Sequence, residues 1–422
     1  MNKAFKILEC REMHHNLIKK YVNDYQVISL KANISGDDKN LKEAYLLLSY
    51  FDKLISKYAF KKICIDDYDG PIIIYLSKCD YCLKDVMVEI EESISIGRFV
   101  DIDVFFNNQI SKHRKELRKC FLCDDYAFVC GRERRHSVSD INKFLKKNVF
   151  DFCLKTIEEI LIESMMTELD LHPKFGLVTK YTNGSHKDMN YILMRDAALS
   201  IVPYFKEMFC VAYENSDLSY IFKEIRKIGI LAEENMYKIT NGVNAYKGLI
   251  FALAFLVSSI AYKFANLKDN RSIYEYIKIM AKDIGLESNE GSDTVGKIAY
   301  QKYNLKGARF EAQDGYTSIR NCVEKYSLDN EESLYEALSY FISTIDDTVL
   351  FKRCKNIDLY YEVKNRFKDF KYNKKNIDEL NDFCLERNLS FGGSADLLVM
   401  AICLKKVLNK FNIDLFEKVN VL

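Results

Sequence analysis

The period of the hydrophobic pattern changes once along this chain, and that change limits the folds it can adopt. Before residue 135, short runs with the alternation or β-branched content of strands occur at VISLKANI (27–34), PIIIYL (71–76), DVMVEIEE (85–92) and FVDIDVFF (99–106). Between them, residues 40–60 have helical spacing. Alternation indicates strands that bury one face, whereas a period near 3.6 indicates helices. The first part is therefore predicted to be an α+β domain.

Strand patterns disappear after SVSD (137–140), which has the capping-box spacing that begins a helix. The helical period continues to about Leu171 and returns in segment after segment to the end of the chain. No flexible linker separates the two patterns. We place the boundary beside residue 148, with an α+β domain at 1–148 and an all-α domain at 149–422.

Composition excludes several classes of protein. Hydrophobic residues make up 48% and charged residues 29% of the 422, which is typical of a globular chain. A net charge of +1 gives no overall field for nucleic acid. The longest apolar run, at 248–262, is too short to span a bilayer. The first residues lack a signal-peptide pattern, so the thirteen cysteines are expected to be reduced. We expect a cytoplasmic protein without nucleic-acid or membrane partners.

GRFVDIDVF (97–105) carries the first chemical pattern. The two-residue period of a strand puts Asp101 and Asp103 on one face, roughly 7 Å apart. A solvated strand edge explains such a pair, and so does a Mg²⁺ ion that binds a nucleotide phosphate. Two basic segments follow, HRKELRK (113–119) and GRERRH (131–136). The second contains Arg132, Arg134 and Arg135, whose guanidinium groups suit phosphate. Carboxylates beside arginines fit nucleotidyl transfer, in which the carboxylates are catalytic or metal-binding and the arginines hold diphosphate.

Cysteines lie in the same region. Cys120, Cys123, Cys130 and His136 have the spacing C-x2-C-x6-C-x5-H. Zinc ligation is one interpretation, and incidental or structural thiols are the other, because the spacing matches no familiar zinc finger.

RKCFLCDDYAFVCGRERRHS (118–137), together with GRFVDIDVF, resembles the citrate lyase holo-acyl-carrier-protein synthase family over about residues 5–148. The resemblance implies a nucleotidyltransferase-like domain that attaches phosphoribosyl-dephospho-CoA to a serine of an acyl carrier subunit. Where that family has N-I-P-G-P-x-K, this chain has NISGDDK (33–39), which keeps Asn33, Gly36 and Lys39 without the prolines.

Five turns rich in Gly, Asn and Asp interrupt the helical part. They are HPKFGLVTKYTNGSHKDMN (172–190), NGVNAYKG (241–248), GARFEAQDG (307–315), DDTVLFKR (346–353) and FGGSADL (391–397). Ordinary turn chemistry explains Pro173 and Gly176, and helix capping explains Ser394 as an N-cap. Lys247 and Gly248 precede an apolar helix whose N-terminus would favour phosphate. Turns at one end of a helix bundle would converge into a site.

These turns resemble triphosphoribosyl-dephospho-CoA synthase over about residues 150–415. The matching residues are Lys174, Gly176, Leu177, Gly184, His186, Asp188, Met189, Glu233, Gly242, Asn244, Lys247, Gly248, Arg309, Glu311, Ala312, Asp347, Thr348, Arg353, Gly392, Gly393, Ser394, Ala395 and Asp396. Phe175, Ala245-Tyr246, Phe310 and Val349 depart from the pattern. The resemblance implies an all-α enzyme that joins the triphosphoribose of ATP to 3'-dephospho-CoA and releases adenine.

Displacement of adenine passes through an oxocarbenium-like state, which a carboxylate stabilises. We therefore hypothesise that Glu311 or Glu233 lies near the sugar, with His186 as the base or a phosphate contact. Phosphate or substrate contacts are assigned to Lys174, Asn244, Lys247, Gly248, Arg309, Arg353, Gly392, Gly393 and Ser394. Asp188, Asp347 and Asp396 are candidate Mg²⁺ ligands.

The preferred hypothesis is a bifunctional transferase that uses ATP, 3'-dephospho-CoA and the acyl carrier subunit of citrate lyase. One alternative is a helical Mg²⁺-dependent hydrolase of ADP-ribose-like ligands. Another is a non-catalytic adaptor whose arginines dock an acidic carrier protein.

Overall fold

A computed structural model describes residues 3–106, 117–284, 295–354 and 356–416 of the chain. The chain divides into two compact units. The first contains Met1–Lys155, Phe264–Asn270 and Leu408–Leu422, and the second contains Thr156–Lys263 and Arg271–Val407. Residues 113–116 of the basic segment HRKELRK lie outside the described residues.

The first unit combines a small sheet with helices. Its elements are α1 (Lys3–Tyr21), β1 (Gln26–Ala32), α2 (Lys42–Ile55), β2 (Lys61–Asp67), β3 (Gly70–Ser77), α3 (Lys84–Ser93), β4 (Val100–Phe105), α4 (Ala127–Glu133) and the first half of α5 (Val138–Asp170). The four strands are antiparallel, in the order β2-β3-β1-β4. An α+β arrangement is thus confirmed for this part of the chain.

Three of the four predicted strands are confirmed as β1, β3 and β4, and one is wrong. Residues 85–92 lie in α3, because the positions that the fold buries follow a four-residue period: Leu83, Met87 and Glu91. The alternation of Val88 and Ile90 with Glu89 and Glu91 concealed that period. The sequence also missed β2, whose first residues are exposed lysines.

Helices cover both faces of the sheet. Every residue of β3 is buried. Ile72 and Ile74 pack with Ile18 of α1. Tyr75 donates a hydrogen bond to Asp52 of α2, over 2.9 Å. Since adjacent strand residues point to opposite faces, α1 and α2 lie on opposite sides of β3.

Helix α3 lies along the edge strand β4. The Glu91 carboxylate accepts the Ile102 backbone N–H over 2.8 Å, and Lys84 Nζ donates to the Ile102 carbonyl over 3.3 Å. These side chains satisfy edge groups that no neighbouring strand pairs, which protects the edge from pairing with another chain.

Two distant segments complete the first unit. The backbone N–H of Asn412 donates to the Ser49 carbonyl over 3.0 Å, and the Asn412 side-chain amide donates to the Asp52 carboxylate over 2.7 Å. The rings of Phe411 and Phe264 lie 4.6 Å apart. The sequence had placed both segments within residues 149–422, because only long-range packing reveals this return.

The second unit is helical, and its described residues contain no strand. Its helices, after the second half of α5, are α6 (Tyr191–Glu214), α7 (Leu218–Ile239), α8 (Lys247–Ala265), α9 (Ile273–Ala281), α10 (Val295–Tyr303), α11 (Ala308–Gln313), α12 (Thr317–Lys325), α13 (Glu331–Thr344), α14 (Thr348–Cys354), α15 (Ile357–Lys368), α16 (Lys374–Glu386) and α17 (Gly392–Lys410).

Helix starts in both units are specified locally by side-chain caps. Ser137 Oγ accepts the Asp140 N–H over 3.0 Å, which confirms SVSD as the start of α5. Asn190, Asp217 and Asn330 cap α6, α7 and α13 in the same manner. Helix α8 is apolar and long enough to cross a membrane, but 83% of its apolar window is buried, as in a core helix.

Candidate functional site

The second unit brings five of the predicted residues to one small cavity. Gly248 of α8, Glu311 of α11, Asp347 before α14, and Gly393 and Asp396 of α17 line it together. These residues are far apart in sequence, so the cavity exists only because the helices pack. We refer to Glu311, Asp347 and Asp396 as the acidic group.

Asp347 holds two helices at the cavity. One carboxylate oxygen accepts the N–H groups of Val349 and Leu350 over 2.9 and 3.1 Å, which caps α14. The other accepts the Ser394 N–H over 2.8 Å and the Ser394 hydroxyl over 3.0 Å. The prediction of Ser394 as an N-cap is wrong, because α17 already begins at Gly392 and the carboxylate of Asp347 supplies the acceptor.

The other two carboxylates are poorly neutralised. In the described part of the chain, no group donates a hydrogen bond to Asp396, and no cation pairs with it. Burial, and then Asp347 and Glu168, raise the pKa of Asp396 well above its usual range. Burial also raises the pKa of Glu311, although its carboxylate accepts the Ser318 hydroxyl over 2.5 Å. The acidic group therefore disfavours full ionisation in the absence of a cation.

Two glycines allow backbone to approach the acidic group. A Cβ at Gly248 would lie 2.2 Å from Asp396 Oδ2. A Cβ at Gly393 would lie 3.1 Å from Asp347 Cγ. The first contact is impossible without movement and the second is tight, so both helices come close to the carboxylates only because a side chain is absent.

A wider cavity of about 520 Å³ adjoins the small cavity, and Gly248 and Ala308 line both. Its charged groups come from Arg226, Glu233, Lys247 and Arg309, and Phe222 and Phe251 are among its apolar lining residues. Lys247 Nζ pairs with Glu233 Oε2 over 2.7 Å. Arg309 is exposed. The cavity thus combines cationic groups with an apolar wall, as a nucleotide site requires.

Asn244 lies three residues before Lys247, the first residue of α8. Its side-chain oxygen accepts the Lys247 N–H over 3.1 Å, at the start of α8. The sequence prediction that Lys247 and Gly248 lie at the mouth of the apolar helix is confirmed. The remaining amides of this helix start are the groups that would face an anion.

Lys174 lies elsewhere, inside the fold. It is buried, and its ammonium pairs with the Glu168 carboxylate over 2.7 Å and donates to the Glu168 carbonyl over 2.8 Å. Burial lowers the pKa of Lys174, and Glu168 opposes that shift. Its partners are internal, and neither cavity is lined by it.

His186 and Arg353 tie two loops together. Arg353 donates to the Ser185 carbonyl over 3.0 Å and lies 3.3 Å from His186 Nδ1. Since arginine can only donate, His186 Nδ1 accepts and Nε2–H donates to the Ser390 hydroxyl over 2.8 Å. Burial and Arg353 lower the pKa of His186. The neutral tautomer thus holds the 172–190 turn against Ser390.

That turn is closely packed. Gly176 has a φ of +81°, and a Cβ there would lie 2.5 Å from the Leu389 carbonyl oxygen. Asp188, at its exposed end, lines neither cavity of the second unit. Of the predicted residues, Lys174, His186, Asp188 and Arg353 therefore line neither cavity of the second unit.

The first unit holds a second candidate site that the sequence largely missed. A cavity of about 330 Å³ is lined by Asp69, Asp101, Arg11, Lys31 and Lys39, among others. Asp69 follows β2 in a tight turn and is fully buried, and Lys31 and Arg11 both pair with it, Arg11 over 3.1 Å. Lys31 lies directly opposite Asp101 across the β1–β4 ladder. The motif DDYDG (66–70), with three acidic residues before a glycine in a turn, was the available signal.

Asp101 and Asp103 face the same side of β4, as predicted, because Val100, Ile102 and Val104 are the buried residues of that strand. Their surroundings differ. Asp101 pairs with Arg118 over 2.6 Å and lines the cavity, whereas Asp103 lies 3.8 Å from Lys84.

The three arginines after residue 131 separate. Arg134 lines a cavity of about 1000 Å³ together with Arg98, Arg118 and Lys119. Arg135 is paired with Asp125 and Glu133, each over 2.5 Å. Arg132 stands over the Phe128 ring at 5.7 Å. The other cationic groups of this cavity are thus Arg98, and Arg118 and Lys119 of the basic segment HRKELRK.

The acidic group fits Mg²⁺ in part. In the described residues, the only group of three or more His, Cys, Asp or Glu ligand atoms within 4.8 Å of one another is Cys120, Cys123, Cys130 and His136. The carboxylates therefore do not form a complete cage. Protein sites for Mg²⁺ commonly supply one or two carboxylates and leave the rest to phosphates and water. Asp396 can serve in this way, whereas each oxygen of Asp347 already accepts two hydrogen bonds.

Comparison with known proteins assigns both halves. The family model for apo-citrate lyase phosphoribosyl-dephospho-CoA transferase (CitX) matches residues 3–152, and that for ATP:dephospho-CoA triphosphoribosyl transferase (CitG) matches residues 154–414. Protein CitXG of Leuconostoc mesenteroides subsp. cremoris is 30% identical over 95% of this chain and 96% of its own length. Protein CitXG of Haemophilus influenzae is 29% identical over 94% of each chain.

A relative that corresponds to the second half alone is also similar. The probable 2-(5''-triphosphoribosyl)-3'-dephosphocoenzyme-A synthase of Lactiplantibacillus plantarum is 32% identical over 59% of this chain and 95% of its own. These matches define a bifunctional transferase with one activity in each half. The chain belongs to the CitX–CitG fusion family, which confirms both resemblances found in the sequence.

Proposed function

We propose that the second unit makes 2'-(5''-triphosphoribosyl)-3'-dephospho-CoA from ATP and 3'-dephospho-CoA. The 2'-hydroxyl oxygen of dephospho-CoA forms a bond to C1' of the ATP ribose, the bond from C1' to adenine breaks, and adenine leaves with a proton. The convergence of the acidic group with Gly248 beside the cationic cavity carries this proposal. Positive charge develops at C1', where a carboxylate stabilises it.

The geometry divides the roles among the residues. Lys247, Arg309 and the amide groups at the start of α8, which Asn244 orders, would hold the triphosphate. Asp396 would bind the metal ion that accompanies ATP, and that ion would neutralise phosphate charge. Asp347 would hold the starts of α14 and α17 in place beside it. Glu311 would lie beside the sugar, and Glu233 would orient Lys247. Gly392, Gly393 and Ser394 shape the floor around Asp347. Lys174, His186, Asp188 and Arg353 would support the fold.

We further propose that the first unit transfers phosphoribosyl-dephospho-CoA to a serine of the citrate lyase acyl carrier subunit. The serine oxygen attacks the phosphorus nearest the ribose, the bond to the next phosphate breaks, and diphosphate and the serine proton are released. Asp69 and Asp101 would bind a metal ion, and Arg11, Lys31 and Lys39 would hold the phosphates.

Adenine release tests the first reaction. Purified protein is incubated with ATP and Mg²⁺, with and without 3'-dephospho-CoA, and the products are separated by chromatography. Release that requires dephospho-CoA supports the proposal. Release without it identifies a hydrolase of nucleotide ligands. If neither mixture releases adenine, and the protein binds the acyl carrier subunit in a separate binding measurement, the protein is an adaptor.

Mass spectrometry of the acyl carrier subunit tests the second reaction. Wild-type protein should add one phosphoribosyl-dephospho-CoA per carrier. Asp69→Asn should abolish this addition and leave adenine release intact, because the two reactions use different units. Asp103→Asn is the matched control, since Asp103 lies on the same strand as Asp101 but outside the cavity. Equal loss in both variants would contradict the assignment of Asp69.

A further inference from the structure

We infer that Cys120, Cys123, Cys130 and His136 bind a structural zinc ion. Their three Sγ atoms and one ring nitrogen lie within 4.8 Å of one another. Cys123 Sγ lies 3.4 Å from Cys130 Sγ and 3.4 Å from His136 Nε2. Tetrahedral ligands at about 2.3 Å for sulfur and about 2.0 Å for nitrogen have mutual separations of about 3.4–3.8 Å. The four side chains thus already have nearly the spacing that zinc imposes.

The backbone presents these ligands from two sides. Lys119 and Tyr126 form an antiparallel bridge, so Cys120 and Cys123 lie in the turn that the bridge closes. The Leu122 N–H points to Cys120 Sγ over 3.5 Å, as amide groups do toward metal-bound thiolates. Cys130 is on α4, and a left-handed residue after α4 turns the chain toward His136.

Residues 117–136 have no hydrophobic core of their own. Within that range only Cys120 and Cys130 are buried, while large apolar side chains such as Leu117 and Phe128 are exposed. A short hairpin and a seven-residue helix cannot be held by so little apolar burial. Small protein segments of this kind are commonly stabilised by a metal ion or disulfides. All four candidate ligands are present as free side chains, and the cysteines form no disulfide.

The metal would support the wall of the first unit's largest cavity. Cys120, Cys130 and His136 line that cavity. Arg98 donates to the Cys120 carbonyl over 2.9 Å, and Arg118, adjacent to the ligand segment, pairs with Asp101. Four protein ligands leave no open coordination position, so the ion is structural and takes no part in the chemistry. Binding releases the thiol protons, which makes zinc affinity fall as the pH decreases.

Zinc content of the full-length protein tests this inference. After dialysis against metal-free buffer, elemental analysis should find about one zinc ion per chain in the wild type. Cys123→Ser and Cys130→Ser should lose most of it. Cys82→Ser is the matched control, because Cys82 is an exposed cysteine of the same unit in another C-x2-C motif and should keep the metal. Equal zinc in Cys123→Ser and in the wild type would overturn the inference.

A second measurement guards against misfolded variants. Adenine release shows whether the second unit of each variant is folded, since no zinc ligand belongs to that unit. Zinc added to chelator-treated wild-type protein should restore protection of residues 117–136 from proteolysis, and cobalt should give the absorption bands of a tetrahedral thiolate site. Failure of both metals to bind the folded apoprotein, or an intact disulfide between Cys123 and Cys130, would overturn the inference.

Discussion

Asp396→Asn should stabilise the protein while it abolishes adenine release. The Asp396 carboxylate has no hydrogen-bond donor among the described residues, and Asp347 and Glu168 lie close enough to raise its pKa further. A buried polar group without a partner costs about 1–3 kcal/mol, and more when it is charged. The neutral amide removes the charge at nearly the same volume. Because Asp396 is only partly buried, we expect a gain toward the lower end of that range, about 1 kcal/mol, which at about 2–4 °C per kcal/mol is measurable as a shift in Tm.

The pH dependence of that gain follows from the direction of the pKa shift. Because the folded-state pKa of Asp396 is raised, the folded protein binds its proton more tightly than the unfolded chain. The stability linked to this proton is fully present below the pKa that Asp396 has in the unfolded chain. It is lost as the pH rises through the pKa that Asp396 has in the folded protein. The advantage of Asp396→Asn should thus be larger at neutral pH than at pH 4. Thermal unfolding across this range measures it.

The adjacent carboxylate is a matched control. Asp346 lines the same cavity, but it accepts the Lys306 N–H over 2.8 Å and lies 3.3 Å from Lys364 Nζ. Asp346→Asn should therefore lower Tm, in contrast to Asp396→Asn. If Asp396→Asn lowered Tm as much as Asp346→Asn, the Asp396 carboxylate would not destabilise the fold. If the variant kept more than about a tenth of the adenine release, Asp396 would not be needed for the reaction.

Three further predictions concern the second unit. Gly248→Ala should lower the rate of adenine release by about 100-fold or more. The new Cβ would lie only 2.2 Å from Asp396 Oδ2 and would push the carboxylate away, and a displacement of about 1 Å in an active site can lower the rate about 100-fold. Arg309→Ala should lower kcat/KM for ATP about 10–100-fold with little change in Tm, because charge-assisted phosphate contacts are each worth about 1.5–3 kcal/mol. His186→Gln should flatten the stability loss below about pH 6.5, because the lowered folded-state pKa of His186 makes the unfolded chain bind the proton first.

Each of these has its own control. Gly229→Ala places a Cβ no closer than 3.9 Å to Met208 and should leave Tm unchanged or raise it, so a similar loss of stability in both glycine variants would contradict the steric argument. Lys227→Ala removes an exposed cation that pairs with Glu224 and should not change kcat/KM. An unaltered pH profile of unfolding in His186→Gln would show that another group titrates.

Much of the fold followed from local patterns. Three strands, the cap at Ser137 and the helical second half were predictable, because side-chain period and capping act over a few residues. The assignment of residues 85–92 failed for the same local reason, since alternation and a four-residue period coincide over so short a run. Family motifs identified both activities without any three-dimensional information.

The sites depended on tertiary packing. The family resemblance selected Lys174 and Arg353, and only the fold shows that Lys174 pairs with Glu168 and that Arg353 joins two loops. It passed over Asp69, whose role depends on lying beside Lys31 of a strand distant in sequence. Residue type and spacing determined which groups were available for chemistry. Only packing decided which carboxylates lose their partners and solvent, because burial and long-range contacts depend on elements far apart in the chain.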